Sequence, residues 1–540
     1  MIRLSSFALV TSMLGVSHVA AQPPAAAPVR EARPTAGTSA NPPTLVVFIT
    51  IDQLRADYLT RFGAQLTGGL RRILDGGAVF LNGFQDHAVT ETAPGHAATM
   101  SGRFPVHTGI SSNSQGVNSS EWPLLDGAPG AGAAPYRFEG TTLTDWLVRK
   151  DRRTKVLSVS RKDRGAILPI GKSKQAVFWY STNGTFTTST WYRDALPAWV
   201  RAFNAERLPQ ATADRVWDLL LPERAYPEPD SVPAESSGRD FTFPHFTSSD
   251  SGRAAASLAA FPWMDDVTLR FALRGVQAMQ LGSGPQVDVL NISLSTTDAV
   301  GHRFGPDSRE IHDQILQVDR YLGQFLDSLF KLRDSTRIVI ALTGDHGVTP
   351  FPGVKSSDPN EGARAVTLDT LVQAMANGLI AARVEPGRVA GYEDGVLAID
   401  RRKLDGSTVD ADSLVNWFAT EARKVPGVFR VDRMRDLAKA DTVKDAIARR
   451  WLHMFAPDGT VVLVVTLNRW NVWSVGPIAM HGSPWDQDAN VPVLFWGAPF
   501  KPGRYADTVR VVDMAPTLAE VLGTRPTERV DGHVLRQVLP

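Results

Sequence analysis

Six side chains of two types, carboxylate and imidazole, stand beyond apolar runs or in loops leading to them: Asp52, Asp298 with His302, Asp345 with His346, and His481. Any one alone would be an unremarkable polar residue. Together they make a ligand inventory without thiolate, which suits catalytic zinc or a similar divalent ion. Asp298 and His302 are four apart, so one helical turn presents both on one face. Asp345 and His346 are adjacent and need an irregular backbone to point together, which Gly344 and Gly347 permit. Six side chains and one hydroxyl would serve two metals and leave positions open for substrate. Two metals about 3.5–4 Å apart form the clamp used for in-line displacement at phosphorus.

The hydroxyl comes from Thr92, in the stretch Thr90 to Gly102. Pro94 suits the first position of a helix, and Gly102 gives that helix a place to stop. Thr92 is then expected just outside the helix N-terminus, where free amides and the dipole favour an anion. Read alone it is a helix cap. Beside metals it becomes a nucleophile towards phosphorus.

The elements that must position these groups are legible as apolar runs. Leu45–Ile51 is continuous, as in a buried parallel strand, and delivers Asp52 at its C-terminal end, where open α/β sheets place ligands. Lys155–Ser160 leads into Arg161-Lys162-Asp163-Arg164-Gly165, and Val287–Leu294 leads to Asp298 and His302. Ile311, Ile315, Val318, Leu322, Phe325 and Leu329 fall on one face of a helix. Arg337–Leu342 then runs into Asp345 and His346, and this strand–helix–strand order is that of a parallel sheet. The sheet is expected to resume with Val491–Gly497 after His481, with a helix from Asp513 to Leu522 closing the fold. Between these runs lie two stretches read as insertions, about 166–285 and 352–475. The aromatics of 175–205 fit either plain packing or the wall of a substrate cleft.

The chain has 540 residues, a formal net charge of +1 and no cysteine. Length alone allows about three or four domains. The charge balance gives no reason to expect nucleic acid or an anionic membrane as partner. Met1 to Ala21 has a basic start, a short apolar core and small residues at its end, the pattern of a cleaved secretory signal. Residues 22–43 read as a flexible Ala/Pro-rich leader. Without cysteine, an exported chain relies on its core and its metals, not on disulfides.

Asp52, Thr92-Ala93-Pro94-Gly95-His96, Asn113, Lys162-x-Arg164, Asp298-x-x-x-His302, Asp345-His346 and His481 together resemble the alkaline phosphatase superfamily. More narrowly they are similar to exported bacterial alkaline phosphatases with a threonine nucleophile, from about residue 44 to the end. The resemblance implies an α/β three-layer sandwich around a mostly parallel sheet, discontinuous in sequence, with inserted cap segments over one site. It implies two Zn2+ ions, one held by Asp298, His302 and His481, the other by Asp52, Asp345, His346 and Thr92. It implies that Asn113, Lys162 and Arg164 hold the non-bridging phosphoryl oxygens. Small phosphate monoesters would be the substrates, hydrolysed in the periplasm or outside the cell through a phosphothreonine, with no membrane association after signal removal.

From local sequence alone, Lys162-Asp163-Arg164 reads as a solvated charged turn. If extended, it would put both cations on one side. A phosphodiesterase of the nucleotide pyrophosphatase type is the competing expectation, since it shares the metals, a threonine and an asparagine. A sulfatase is excluded by the absence of cysteine and of a Ser-x-Pro-x-Arg motif at Thr92. A non-enzymatic metal or phosphate scavenger is disfavoured by the intact nucleophile beside a full ligand set.

Overall fold

The computed structural model describes residues 42–352, 363–473 and 478–540. Residues 1–41, where a secretory signal and most of a leader are expected, lie outside the described residues. The chain opens with β1 (Leu45–Ile51), β2 (Ala78–Phe84), α1 (Thr92–Ser101) and α2 (Leu143–Lys150). It continues with β3 (Val156–Ser160), α3 (Asp163–Ile167), β4 (Ala176–Ser181), β5 (Thr185–Thr187) and α4 (Trp263–Met279). Next come β6 (Asp288–Leu294), α5 (Thr296–Phe304), α6 (Arg309–Leu332) and β7 (Ile338–Thr343). A second group comprises α7 (Asp369–Ala381), β8 (Ala390–Glu393), β9 (Val396–Ile399), α8 (Ala411–Ala422), β10 (Val428–Arg433) and β11 (Val461–Leu467). The chain closes with β12 (Asn490–Trp496), β13 (Gly503–Tyr505), β14 (Val509–Arg510) and α9 (Met514–Val521).

The main sheet has the order β13-β2-β12-β7-β1-β6-β3-β4-β5, with β14 also paired to β2. Its centre, β7-β1-β6-β3-β4, is parallel throughout. The strand expected at 491–497 joins this sheet but runs antiparallel to both β7 and β2. Alternation along β1 feeds two cores. Leu45, Val47, Ile49 and Ile51 pack with Ile311, Ile315, Val318 and Leu322 of α6 on one face. Val46 and Phe48 pack with Ala97 and Met100 of α1, Trp146 of α2 and Leu518 of α9 on the other. A strand covered on both faces must be apolar at every position, which is why β1 reads as a continuous run.

Part of the 166–285 stretch belongs to the layers of this fold and is not a cover over them. β4 and β5 extend the sheet, and α4 packs on β3 and β6. The aromatics are packing: Phe178, Phe186, Trp199 and Phe203 all surround Phe271 of α4. Their density masked the alternation expected of a strand. The 352–475 stretch builds an antiparallel sheet, β8-β9-β11-β10. With α7 and α8 it closes its own apolar core around Leu397, Phe418 and Leu463.

Candidate active site

Register assembles the site. Thr50 of β1 lies opposite Ser293 of β6 and Thr343 of β7, so all three strands end at one level. Asp52, the Gly344–His346 turn and the first turn of α5, with Asp298, therefore meet at the C-terminal edge of the sheet. Asp52 and Asp345 are wholly buried, and Asp298 nearly so. Lys162 Nζ lies 2.7 Å from Asp298 Oδ2, 3.0 Å from Asp52 Oδ2 and 3.1 Å from Thr92 Oγ1. Burial opposes the charged forms of Asp52 and Asp298. The Lys162 ammonium, helped by His96 at Asp52 and His302 at Asp298, more than offsets it and holds both carboxyls well below their usual range. Asp345 is pushed up by burial and by the charge of Asp52.

Thr92 is the first residue of α1, with Glu91 as its extended N-cap and Pro94 two residues on, so it stands one step inside the helix rather than outside it. Gly102 ends the helix in the left-handed conformation, as expected. The Thr92 hydroxyl receives Lys162 and lies 3.4 Å from His346 Nε2. Asn113 Oδ1 accepts the Ala93 amide at 3.0 Å, which places this side chain beside the start of α1. Lys162 is extended, but Arg164 sits in the first turn of α3, so the pair is not one extended segment. Arg164 makes no hydrogen bond to Thr92; its Nε is buried without a partner, and its charge acts on Glu91. Burial, with Glu393 and Asp394, pushes the Glu91 carboxyl up to about 7.

Three imidazoles share one arrangement. Nδ1 of His302 faces Ala479 O at 2.7 Å, that of His346 faces Gly347 O at 2.9 Å, and that of His481 faces Thr90 O at 2.8 Å. A carbonyl only accepts, so each Nδ1 carries the proton and each Nε2 turns towards the carboxylates. His302 Nε2 and His481 Nε2 are 3.2 Å apart, with Asp298 Oδ1 3.2 Å from the first and 3.7 Å from the second. Two imidazole nitrogens this close, beside a carboxylate, form a group able to hold a cation. Burial holds His346 down at about 3 and, with His346 and His302 beside it, lowers His481 too. Burial opposes the charge of His302, but Asp298 raises it. Asp52 Oδ2 is buried against the Lys162 ammonium, and Asp345 Oδ2 is buried with His96 Nδ1 at 3.3 Å and His346 Nε2 at 3.4 Å. Asp298, His302 and His481 form one group able to hold a metal, and Asp52, His96 and Asp345 form a second. His346 Nε2 borders the second, 3.4 Å from Asp345 Oδ2.

Sequence reading assigned no role to His96 or Gln53. His96 is wholly buried between Asp52 and Asp345, 3.3 Å from each, and these carboxylates raise it to about 9 against the cost of burial. Its place in the Thr92–His96 motif was the available signal. Gln53 has φ 64° and donates its backbone amide to Asp345 Oδ1 and its side-chain amide to Asp298 Oδ1. A left-handed glutamine after a strand is costly, and nothing in its sequence context announces it. Gly95 is demanded by the site: a Cβ there would overlap the backbone oxygen of Asp345. Gly95→Ala is expected to separate α1 from the Asp345 turn, lowering kcat by about a hundredfold or more and weakening metal binding. Steady-state assays and metal titration of the same preparation check this.

The geometry is that of a phosphoryl-transfer hydrolase of the alkaline phosphatase superfamily. A family model described as type I phosphodiesterase / nucleotide pyrophosphatase matches residues 46–454, and the chain belongs to that family. Alkaline phosphatase PhoV of Synechococcus elongatus is 30% identical over 522 residues, covering 92% of this chain and 93% of the relative. Alkaline phosphatase PhoK of a Sphingomonas species is 30% identical over 538 residues, covering 92% and 91%. The crystal structure of wild-type alkaline phosphatase PafA superposes with a TM-score of 0.83 at 25% identity, over 93% of this chain and all of that one. The fold is thus the α/β fold of PafA, with a mostly parallel central sheet and an added antiparallel sheet. Among the described residues no helix is long and apolar enough to cross a membrane.

Proposed function

We propose that this chain is an exported alkaline phosphatase that hydrolyses small phosphate monoesters with Thr92 as nucleophile. The observation that carries the reading is the Thr92 hydroxyl, held 3.1 Å from the Lys162 ammonium, which itself meets Asp298 of one metal-competent group and Asp52 of the other. The buried carboxylates of Asp52, Asp298 and Asp345 and the Nε2 atoms of three histidines turned towards them make an oxygen and nitrogen donor set that fits two zinc ions. Asp298, His302 and His481 would hold one; Asp52, Asp345, His346 and Thr92 would hold the other. When bound, these ions lower the pKa of the attacking groups and neutralise charge on the leaving oxygen.

The chain's own residues do the rest. Thr92 Oγ forms the bond to phosphorus as the ester P–O bond breaks and the alcohol leaves; water then cleaves the phosphothreonine to release phosphate. Lys162 stabilises the oxyanion of Thr92 and one phosphoryl oxygen. Arg164, whose guanidinium is held only loosely by Asp163 at 3.7 Å, and the Asn113 side-chain amide take the others. The matched family includes diesterases by its own description, but three donors around one phosphoryl group suit a terminal phosphoryl with three non-bridging oxygens and nearly two charges. The relatives named alkaline phosphatases support the same reading. The apolar signal at residues 1–21 supports export.

Acid quench of turnover with an aryl phosphate, followed by peptide mass spectrometry, tests it. Phosphate is expected on Thr92; phosphate on Thr90, Thr99 or Ser101 would contradict it. Metal removal is a second test: about two zinc ions per chain are expected, with activity lost on chelation and restored by zinc. His481→Ala is expected to lose one of the two ions and most activity while staying folded. A fully active chain free of transition metal would refute the metal reading.

A further inference from the structure

The loop that carries Asn113 is gripped from two sides, and one grip belongs to the inserted sheet. On the near side, Glu91, the N-cap of α1, accepts the Asn113 backbone amide at 2.6 Å. On the far side, the Ser112 and Ser114 hydroxyls, 2.9 Å apart, both reach Glu393 Oε2, at 3.3 and 2.8 Å. Ser112 is buried and lies 281 residues from Glu393 in sequence. Glu393 is the last residue of β8, opposite Val396 of β9. Between them Asp394 and Gly395 have φ of 41° and 85°, the paired positive angles of a two-residue Asp-Gly hairpin turn. The Gly395 amide is further tied to Tyr392 Oη at 3.1 Å. β9 is rooted by Leu397 and Ile399 in the inserted core. A stiff hairpin tip, anchored in a separate core, thus presents one carboxylate to the two residues flanking Asn113.

We propose that Glu393 is a positioning residue: through it the inserted sheet presses the Ser112–Asn113–Ser114 loop against Glu91 and sets the place of the Asn113 amide relative to Thr92. This rests on the reading of Asn113 as a phosphoryl ligand. Removing the carboxylate leaves the two hydroxyls bonded to each other and to the Gln115 amide, and Asn113 is then held from the α1 side alone, by Glu91 and by the Ala93 amide on its Oδ1, so it can drift. Because positioning tolerates errors well below an ångström, the loss appears in phosphoryl binding and transfer before it appears in stability.

The test is a cycle of wild type, Glu393→Ala, Asn113→Ala and the double variant, all zinc-loaded. Each is assayed for kcat/KM on an aryl monoester and for inhibition by inorganic phosphate. Glu393→Ala is expected to cost about fivefold in kcat/KM and to weaken phosphate inhibition by a similar factor, with an unchanged melting temperature. In the Asn113→Ala background it should cost less than twofold, because the residue it positions is gone. Glu393→Gln, whose amide oxygen still accepts, should regain most of the loss. Ser114→Ala, which leaves β8 untouched and removes the shorter of the two links, should reproduce about half of the loss in log units even if Glu393→Ala folds poorly. Wild-type activity in Glu393→Ala beside an impaired Asn113→Ala would overturn this inference alone, as would equal losses in both backgrounds. An Asn113→Ala variant with normal activity and normal phosphate inhibition would instead overturn the assignment of Asn113, and the inference with it.

Discussion

Thr92→Ala is expected to lower kcat on monoesters by about three orders of magnitude or more, with the fold intact, because covalent attack and charge stabilisation are lost together. The other hydroxyls of the stretch cannot replace it. Thr90 Oγ1 donates to Ser483 O, Thr99 Oγ1 to His96 O and Ser101 Oγ to Ala97 O, so each is spent on a backbone carbonyl. Only Thr92 offers its oxygen to Lys162 and His346. Thr92→Ser keeps that oxygen on a side chain with one methyl fewer and is expected to stay within about tenfold of wild type. Single-turnover kinetics on both variants check this, and a Thr92→Ala enzyme with near-normal kcat would remove the nucleophile from the account.

The second large effect belongs to Lys162 and Arg164. Replacing both by alanine is expected to lower kcat/KM for monoesters by about a thousandfold and for diesters by about tenfold or less. A monoester brings a terminal phosphoryl group that a lysine point charge and an arginine fork can grip at three oxygens. A diester has one charge fewer and a second substituent where one of those cations would sit. Lys162 also balances the charges of Asp52 and Asp298, so the comparison belongs at saturating zinc, where the metals supply that balance. Equal losses on the two substrates would mean that the pair serves the carboxylates and not the phosphoryl group.

The sheet centre was legible because physics leaves little choice there. A strand covered on both faces must be apolar throughout, so β1 was readable to its exact ends, and β3, β6, β7 and β12 to within a residue or two. The direction of β12 was not, since pairing sense leaves no mark on a short apolar run. β2, whose apolar run breaks off at Asn82 and Gly83, and β4, in a stretch where aromatic density masks alternation, are not legible as sheet members. At the site, spacing pointed to Asp298 with His302 and to Asp345 with His346, and the fold brings these groups together with Asp52, Thr92, Lys162 and His481. Contacts that depend on distant register stayed silent. Gln53 joins two carboxylates from a left-handed backbone, and Glu393 reaches Ser112 and Ser114 across more than half the chain.

The ratio of kcat/KM for an aryl phosphate monoester to that for its methyl diester, measured on the zinc-loaded wild-type enzyme, tests the central claim most directly. The account predicts a ratio of about a thousand or more, since Lys162, Arg164 and Asn113 together answer three non-bridging oxygens. A ratio near or below one would contradict it, and would assign the same nucleophile and metal groups to a diesterase.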